Sequence, residues 1–267
     1  MSTVFNNVSI HIQRLFKEKL KWDRGFLTPS RLEQYCEHIQ ANGEPSGLIW
    51  GFIHGSHQKV CRPTPETCDQ SLLYSGYKHA YTTVFQSIST PDGLLIHFKG
   101  PYEGRVSDWG ILKHSGLQEN LKNYSHNTAG SRLWIYGDAG YGLEKGILSS
   151  YRSHHSTGQH TESEEIFNAS MARQRIVVEW CFGKLVTLFP LIDYFKKLKV
   201  GLSQVGSWIF TAVLLTNAHT CYYGSETTAY FDCPPPSIQE YLITPTDNRN
   251  ADSDMPDSDT ETATSSY

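Results

Sequence analysis

The apolar positions between Leu48 and His57, Leu-Ile-Trp-Gly-Phe-Ile-His-Gly-Ser-His, form a run rather than an alternation. Five of its first six residues are bulky and apolar, and two are Ile, which predicts a strand buried on both faces. Gly55 and Ser56 read as a turn that ends it. His54 then stands at the mouth of a buried strand, where sheet proteins gather their sites.

Upstream, Val4, Val8, Ile12 and Leu15 follow a helical period and predict a first helix ending before Trp22. A second helix has full punctuation: Thr28 as N-cap, Pro29 at its first position, Leu32, Tyr35, Cys36 and Ile39 on one face, and Asn42-Gly43 as the stop. Neither carries a basic recognition face, so packing explains both more simply than a DNA-reading module does. Downstream, Gln58 to Ser71 is a polar connection. Tyr77 to Ser89 and Leu94 to Lys99 then flank Thr90-Pro91-Asp92-Gly93, a hairpin signal. Three strands are expected side by side, the last two antiparallel.

Pro101 to Ser107 reads as a loop, followed by a short helical segment through Leu112 with Asp108 near its start. That position suits a capping Asp and a site carboxylate equally. Leu133 to Tyr136 predicts another short buried strand, ending at Gly137-Asp138-Ala139-Gly140-Tyr141-Gly142. The glycine spacing does not match a dinucleotide fingerprint. Asp138 is placed at a strand end, as His54 is, and a turn-forming role fits it as well. Tyr151 to Ser163, with His154, His155 and His160, reads as a polar loop. From Glu164 the pattern is helical, with Phe167, Met171, Val178, Phe182 and Leu185 on one side and Glu179 bordering that stripe. Arg175 stands one turn before Glu179, and a solvated Arg-Glu pair is the simple expectation. Val205 to Leu215 is apolar nearly all round and reads as a buried helix, and Ile238 to Ile243 as a last short segment.

Composition changes the picture in two places. The net charge of the 267 residues is −4, but residues 244–267 hold six acids and one base, so the rest is close to neutral and a nucleic-acid partner is not excluded. That acidic tail has no periodicity and is expected to be disordered. The six cysteines show no pairing rhythm, and Cys61 and Cys68 are spaced too widely for half of a zinc knuckle, so reduced thiols are expected. Residues 1–15 lack a secretory pattern and no apolar stretch is long enough for a membrane span. A protein of nucleus or cytoplasm, neither secreted nor membrane-bound, is the expectation.

The chemistry-bearing residues form an ordered series: Gly51-Phe52-Ile53-His54-Gly55-Ser56, Tyr74-Ser75-Gly76-Tyr77-Lys78, Gly100-Pro101-Tyr102-Glu103-Gly104-Arg105 with Asp108, Tyr136-Gly137-Asp138 with Tyr141, Phe167-Asn168, Met171, Arg175, Glu179, Phe182-Gly183, and Leu215-Thr216-Asn217. Taken together they resemble the DDE endonuclease domain of Harbinger-type transposases and their host-adopted relatives, over most of Trp50 to Tyr223. The resemblance implies an α/β fold, an RNase H-like mixed sheet flanked by helices, over residues 47–243, with a helical N-terminal extension at 1–46 and the acidic tail at 244–267. It also implies DNA as partner and divalent Mg²⁺ or Mn²⁺ as cofactor. Two such ions about 4 Å apart stabilise both oxygens of an in-line displacement at phosphorus, and hard cations of this kind favour carboxylate oxygens.

Carried over by position, the family's acids fall on position 54, Asp138 and Glu179, with Asp108 matching a further acid. Position 54 is His54. A neutral imidazole brings one nitrogen and no negative charge, so bridging two hard cations should fail and strand cleavage should be impaired or absent. The short stretch before the domain leaves little of the separate N-terminal DNA-binding region that such transposases can have, and whether a separate DNA-binding partner protein supplies one stays open. Two readings stay open: a nuclease working through Asp108, Asp138 and Glu179 with His54 as a degenerate ligand, or a catalytically inactive DNA- or protein-binding protein. DNA contacts would come from Lys184, Lys196, Lys197 and Lys199, residues that a merely solvated face would also explain.

Overall fold

Helices α1 (Thr3–Phe16) and α2 (Pro29–Ala41) precede strand β1 (Ile49–Lys59) in the computed structural model, which describes residues 3–143, 146–153 and 159–242. A one-turn helix α3 (Gln70–Leu73) and the short strand β2 (Tyr74–Ser75) lead into the hairpin of β3 (Ala80–Ser89) and β4 (Leu95–Glu103). Helices α4 (Asp108–His114) and α5 (Leu117–Tyr124) cross to β5 (Trp134–Tyr136) and β6 (Ile147–Leu148). Five helices follow: α6 (Glu162–Gln174), α7 (Ile176–Leu188), α8 (Val205–Tyr223), α9 (Glu226–Phe231) and α10 (Ile238–Leu242).

The strands form one open mixed sheet in the order β4-β3-β1-β5-β6, with β2 beside the start of β3. β1 is central and antiparallel to β3, while β5 joins its other edge in parallel after the α4–α5 crossover. Parallel neighbours need such a crossover, whereas β3 and β4 need only their tight turn. In that turn Asp92 accepts from the Thr90 hydroxyl at 2.6 Å and from Tyr35 of α2 at 2.5 Å. Burial alone would push its carboxyl pKa up, and these donors counter it. Ile49, Trp50, Phe52 and Ile53 are fully buried, as the apolar run requires, and Phe52 stacks on Phe231 of α9 with ring centres 6.1 Å apart.

The strand does not stop at Gly55-Ser56. It continues to Lys59, paired throughout with β3, from Gly55 opposite Gln86 to Lys59 opposite Thr82. His54 therefore lies within β1, and the glycine after it has another purpose.

α2 runs as its punctuation predicts, with the Thr28 hydroxyl accepting from Arg31 N and Leu32, Tyr35, Cys36 and Ile39 buried. α1 is helical, but most of its expected apolar face is open: Val4 and Leu15 are 71% and 61% exposed, whereas Ile12 packs partly buried against the core and the one buried residue is Ser9. The helix meets α8 through an edge-to-face contact of Phe5 with Trp208 and through polar contacts, Trp208 Nε1 to Asn6 and Ser207 to Gln13. The helical pattern from Glu164 divides in two at Arg175, after a Thr161–Glu164 capping box begins α6 at Glu162. α8 extends to Tyr223 and is buried along most of its length. Its Asn217 amide bonds both the N–H (2.9 Å) and the carbonyl (2.8 Å) of Leu95, completing an edge strand where, among the described residues, no further strand pairs. Within the described residues no helix is long and apolar enough to cross a membrane, and all six cysteines are free. His154, His155, the acidic tail and Ile243 lie outside the described residues.

Candidate active site

His54 owes its direction to the pleat of β1. Successive side chains of a strand point to opposite faces, so His54 shares its face with Phe52, toward α7 and α9. Its ring sits 5.6 Å, edge to face, from Phe182 of α7. At the junction of α6 and α7 the backbone of Arg175 remains close to helical (φ −64°, ψ −14°) and sends the guanidinium to the same place. Arg175 Nη2 lies 3.3 Å from His54 Nδ1 and 3.3 Å from Asp138 Oδ2. A guanidinium can only donate, so Nδ1 accepts and the imidazole is neutral. Burial, and after it the charge of Arg175, brings the His54 pKa down to about 4. Lys78, on the turn before β3, pushes the same way on His54 and on His57.

Asp138 stands two residues beyond the end of β5, after Gly137. One carboxylate oxygen accepts from Gly140 N at 2.9 Å and so builds the turn, while the other takes the Arg175 ion pair. The turn role is met by the bond to Gly140, and the same side chain is left facing Arg175.

Asp108 is not a cap, because the hydroxyl of Ser107 accepts from Gly110 N and fills that role at α4. Its carboxylate instead occupies the space above Gly55. A Cβ on Gly55 would fall 1.9 Å from Asp108 Oδ1, which explains the glycine within a paired strand. A Cβ on Gly140 would stand 2.9 Å from Asp138 Oδ1 and 3.4 Å from Asp108 Oδ2, so the two carboxylates close on one point. Desolvation first, and then the neighbouring Asp138 charge, raises the Asp108 pKa to about 6, against the pull of Arg175.

Glu179 is exposed, and among the described residues it has no hydrogen bond or ion pair to His54, Asp108, Asp138 or Arg175. The expected Arg175–Glu179 pair is not formed, because Arg175 turns to Asp138 and His54. Helical spacing still puts Glu179 between Arg175 and Phe182 on the side of α7 that meets His54. Its other flank borders a cleft of about 530 Å³ between α7, α8 and α9 that includes Lys184 and His219. The structure thus brings His54, Asp138 and Asp108 together and leaves Glu179 at the margin.

Sequence spacing had matched Arg175 to Glu179, one turn away, and so missed its bridging role. Its membership of the motif series was the available signal, since its partners are 121 and 37 residues distant.

The donor set does not suit a pair of hard cations. It offers an imidazole already accepting from a guanidinium, two neighbouring carboxylates of which Asp138 is taken up by Arg175 and Gly140, and one carboxylate without contact to the rest. Among the described residues no group of three or more His, Cys, Asp or Glu side chains is placed to hold a metal ion.

A central strand flanked by antiparallel and parallel neighbours, with carboxylates where β1 and β5 meet, defines an α/β protein consistent with the RNase H-like nuclease fold. A family model described as DDE superfamily endonuclease matches residues 53–217, well over half the chain. The chain belongs to that family. No curated protein and no solved structure matches it.

Proposed function

We propose that the chain is a transposase-derived endonuclease domain of the Harbinger type that still engages DNA through the β1–β5 pocket but has lost efficient metal-dependent strand cleavage. The family implies DNA as substrate, and Arg175 and Lys78 supply positive charge beside the pocket. The observation that carries the loss of cleavage is His54: a buried, neutral imidazole held by Arg175 stands where the family resemblance expects a carboxylate. On this reading residues 47–243 form the nuclease-derived domain, 1–46 its helical extension and 244–267 an acidic tail.

The test is a nicking assay on supercoiled DNA with Mg²⁺ or Mn²⁺. The unmodified protein should leave the DNA intact, and His54→Asp should gain metal-dependent nicking that Asp138→Ala removes again. Nicking by the unmodified protein that disappears in Asp138→Ala would overturn the proposal. The competing reading, a working nuclease built on Asp108, Asp138 and Glu179, predicts that result and needs Glu179 to reach the pocket.

A further inference from the structure

The segment between α7 and α8 contains Tyr194-Phe195-Lys196-Lys197-Leu198-Lys199, in which aromatic and cationic residues follow one another and Asp193 is the nearest acid. It is pinned at two points to the outer end of β1. The Gln58 side chain donates to Ile192 O at 2.5 Å, and Cys61 N donates to Leu198 O at 2.9 Å. Ile192 and Leu198 are buried as plugs beneath it. Between and beside these pins Tyr194 is 50% exposed and Phe195 42%, and Lys196, Lys197 and Lys199 all face solvent. Among the described residues none of the three lysines is in an ion pair.

We infer that this strap is a docking surface for an unpaired DNA strand leaving the β1–β5 pocket. Gln58 and His54 point to the same face of β1, four residues apart, which at strand rise is about 13 Å. Pocket and strap therefore lie along one face of the sheet. Lysines alone would serve any DNA, because they read phosphate charge. The two half-exposed rings separate the cases: a base in a duplex is already stacked on its neighbours, whereas an unpaired base has a free face to lay on an aromatic side chain. Pinning lowers the ordering cost that a free loop would meet on binding. The inference rests on the reading that this protein engages DNA, and it does not require that the protein cut it.

The experiment is fluorescence anisotropy of the whole chain with a labelled oligothymidylate of about 15 nucleotides, a length typical of single-strand sites, and with a blunt duplex of equal length. Tyr194→Ala and Phe195→Ala should each weaken the single strand about tenfold and leave the duplex unchanged, with Tyr194→Phe retaining the affinity. The combined Lys196→Ala, Lys197→Ala and Lys199→Ala protein should lose affinity for both, and its single-strand salt slope should fall by about 2. Unchanged thermal unfolding of the ring variants separates lost stacking from lost fold. Ring variants that leave single-strand binding intact, or weaken both DNAs alike, overturn the strap while DNA engagement stands. Failure of the unmodified protein to bind either DNA overturns the strap and the broader reading together.

Discussion

His54 and Gly55 are consecutive on β1, face opposite sides of the sheet and reach the pocket by opposite means. On one face a side chain is present but carries no charge, packed by Phe182 and held by Arg175. On the other face there is no side chain, and the carboxylate of Asp108 enters from α4 to take its place. The lesson is that a strand can present a neutral side chain at one position while the fold still brings a carboxylate to the same region from another element. Of the charge there, Asp138 is already engaged by Arg175, and Asp108 stands beside it with its pKa raised.

Breaking the His54 face should cost most. Phe52→Ala would empty a fully buried site against Phe231, and a loss of about 3–5 kcal/mol is expected in denaturant unfolding. Phe182→Ala acts on the same face from the helix side. Phe182 is only partly buried, so about 1–2 kcal/mol should be lost. The His54 pKa should also rise from about 4 toward the ordinary value as water reaches the ring, which a histidine NMR titration would record.

On the Gly55 face, Gly55→Ala meets the end of one side chain and not backbone. Asp108 should swing away at a cost of about 1 kcal/mol, and its pKa should fall back toward that of a solvated carboxylate. No such fall would mean that Asp108 is held by something other than the space above Gly55.

The two faces should also tilt the dependence of stability on pH in opposite directions. Asp108 titrates at about 6 in the folded chain, against about 3.9 unfolded. As pH rises between these values the unfolded chain loses its proton first, and the native state loses relative stability. Asp108→Asn should therefore unfold at a higher temperature than the parent at pH 7 and show little of that gain at pH 4. His54 titrates at about 4 folded against about 6.5 unfolded, so its contribution falls as pH drops through that window. His54→Gln should flatten the acid side of the curve. The smallest expected effect is that of Arg175→Ala. Both partners of its ion pair with Asp138 are about one-third exposed, so stability should change by no more than about 1 kcal/mol.

Much of this fold was legible in residue order because its signals are local. The Thr28-Pro29 start of α2, the Asp92-Gly93 turn and the buried run of β1 depend on neighbours a few residues away. The grouping of position 54, Asp108 and Asp138 was legible only through the resemblance of the whole motif series, because spacing alone allowed each Asp a capping or turning role. The α1 face shows the converse error: Val4, Val8, Ile12 and Leu15 share a helical period, yet of these it is Ile12 that packs against the core, because period says nothing about which part of a face another element covers.

By itself the sequence determined the buried run of the sheet's central strand, the hairpin beside it and the capped start of α2. Only the tertiary structure decided that β1 continues through Gly55, that Asp108 fills the space that glycine leaves, that Arg175 joins His54 to Asp138 and not to Glu179, and that the Tyr194–Lys199 strap is pinned open. Helical and strand periods follow from backbone geometry within one segment. These four outcomes depend on which distant segments compete for the same space and charge, and nothing in a local pattern encodes that competition.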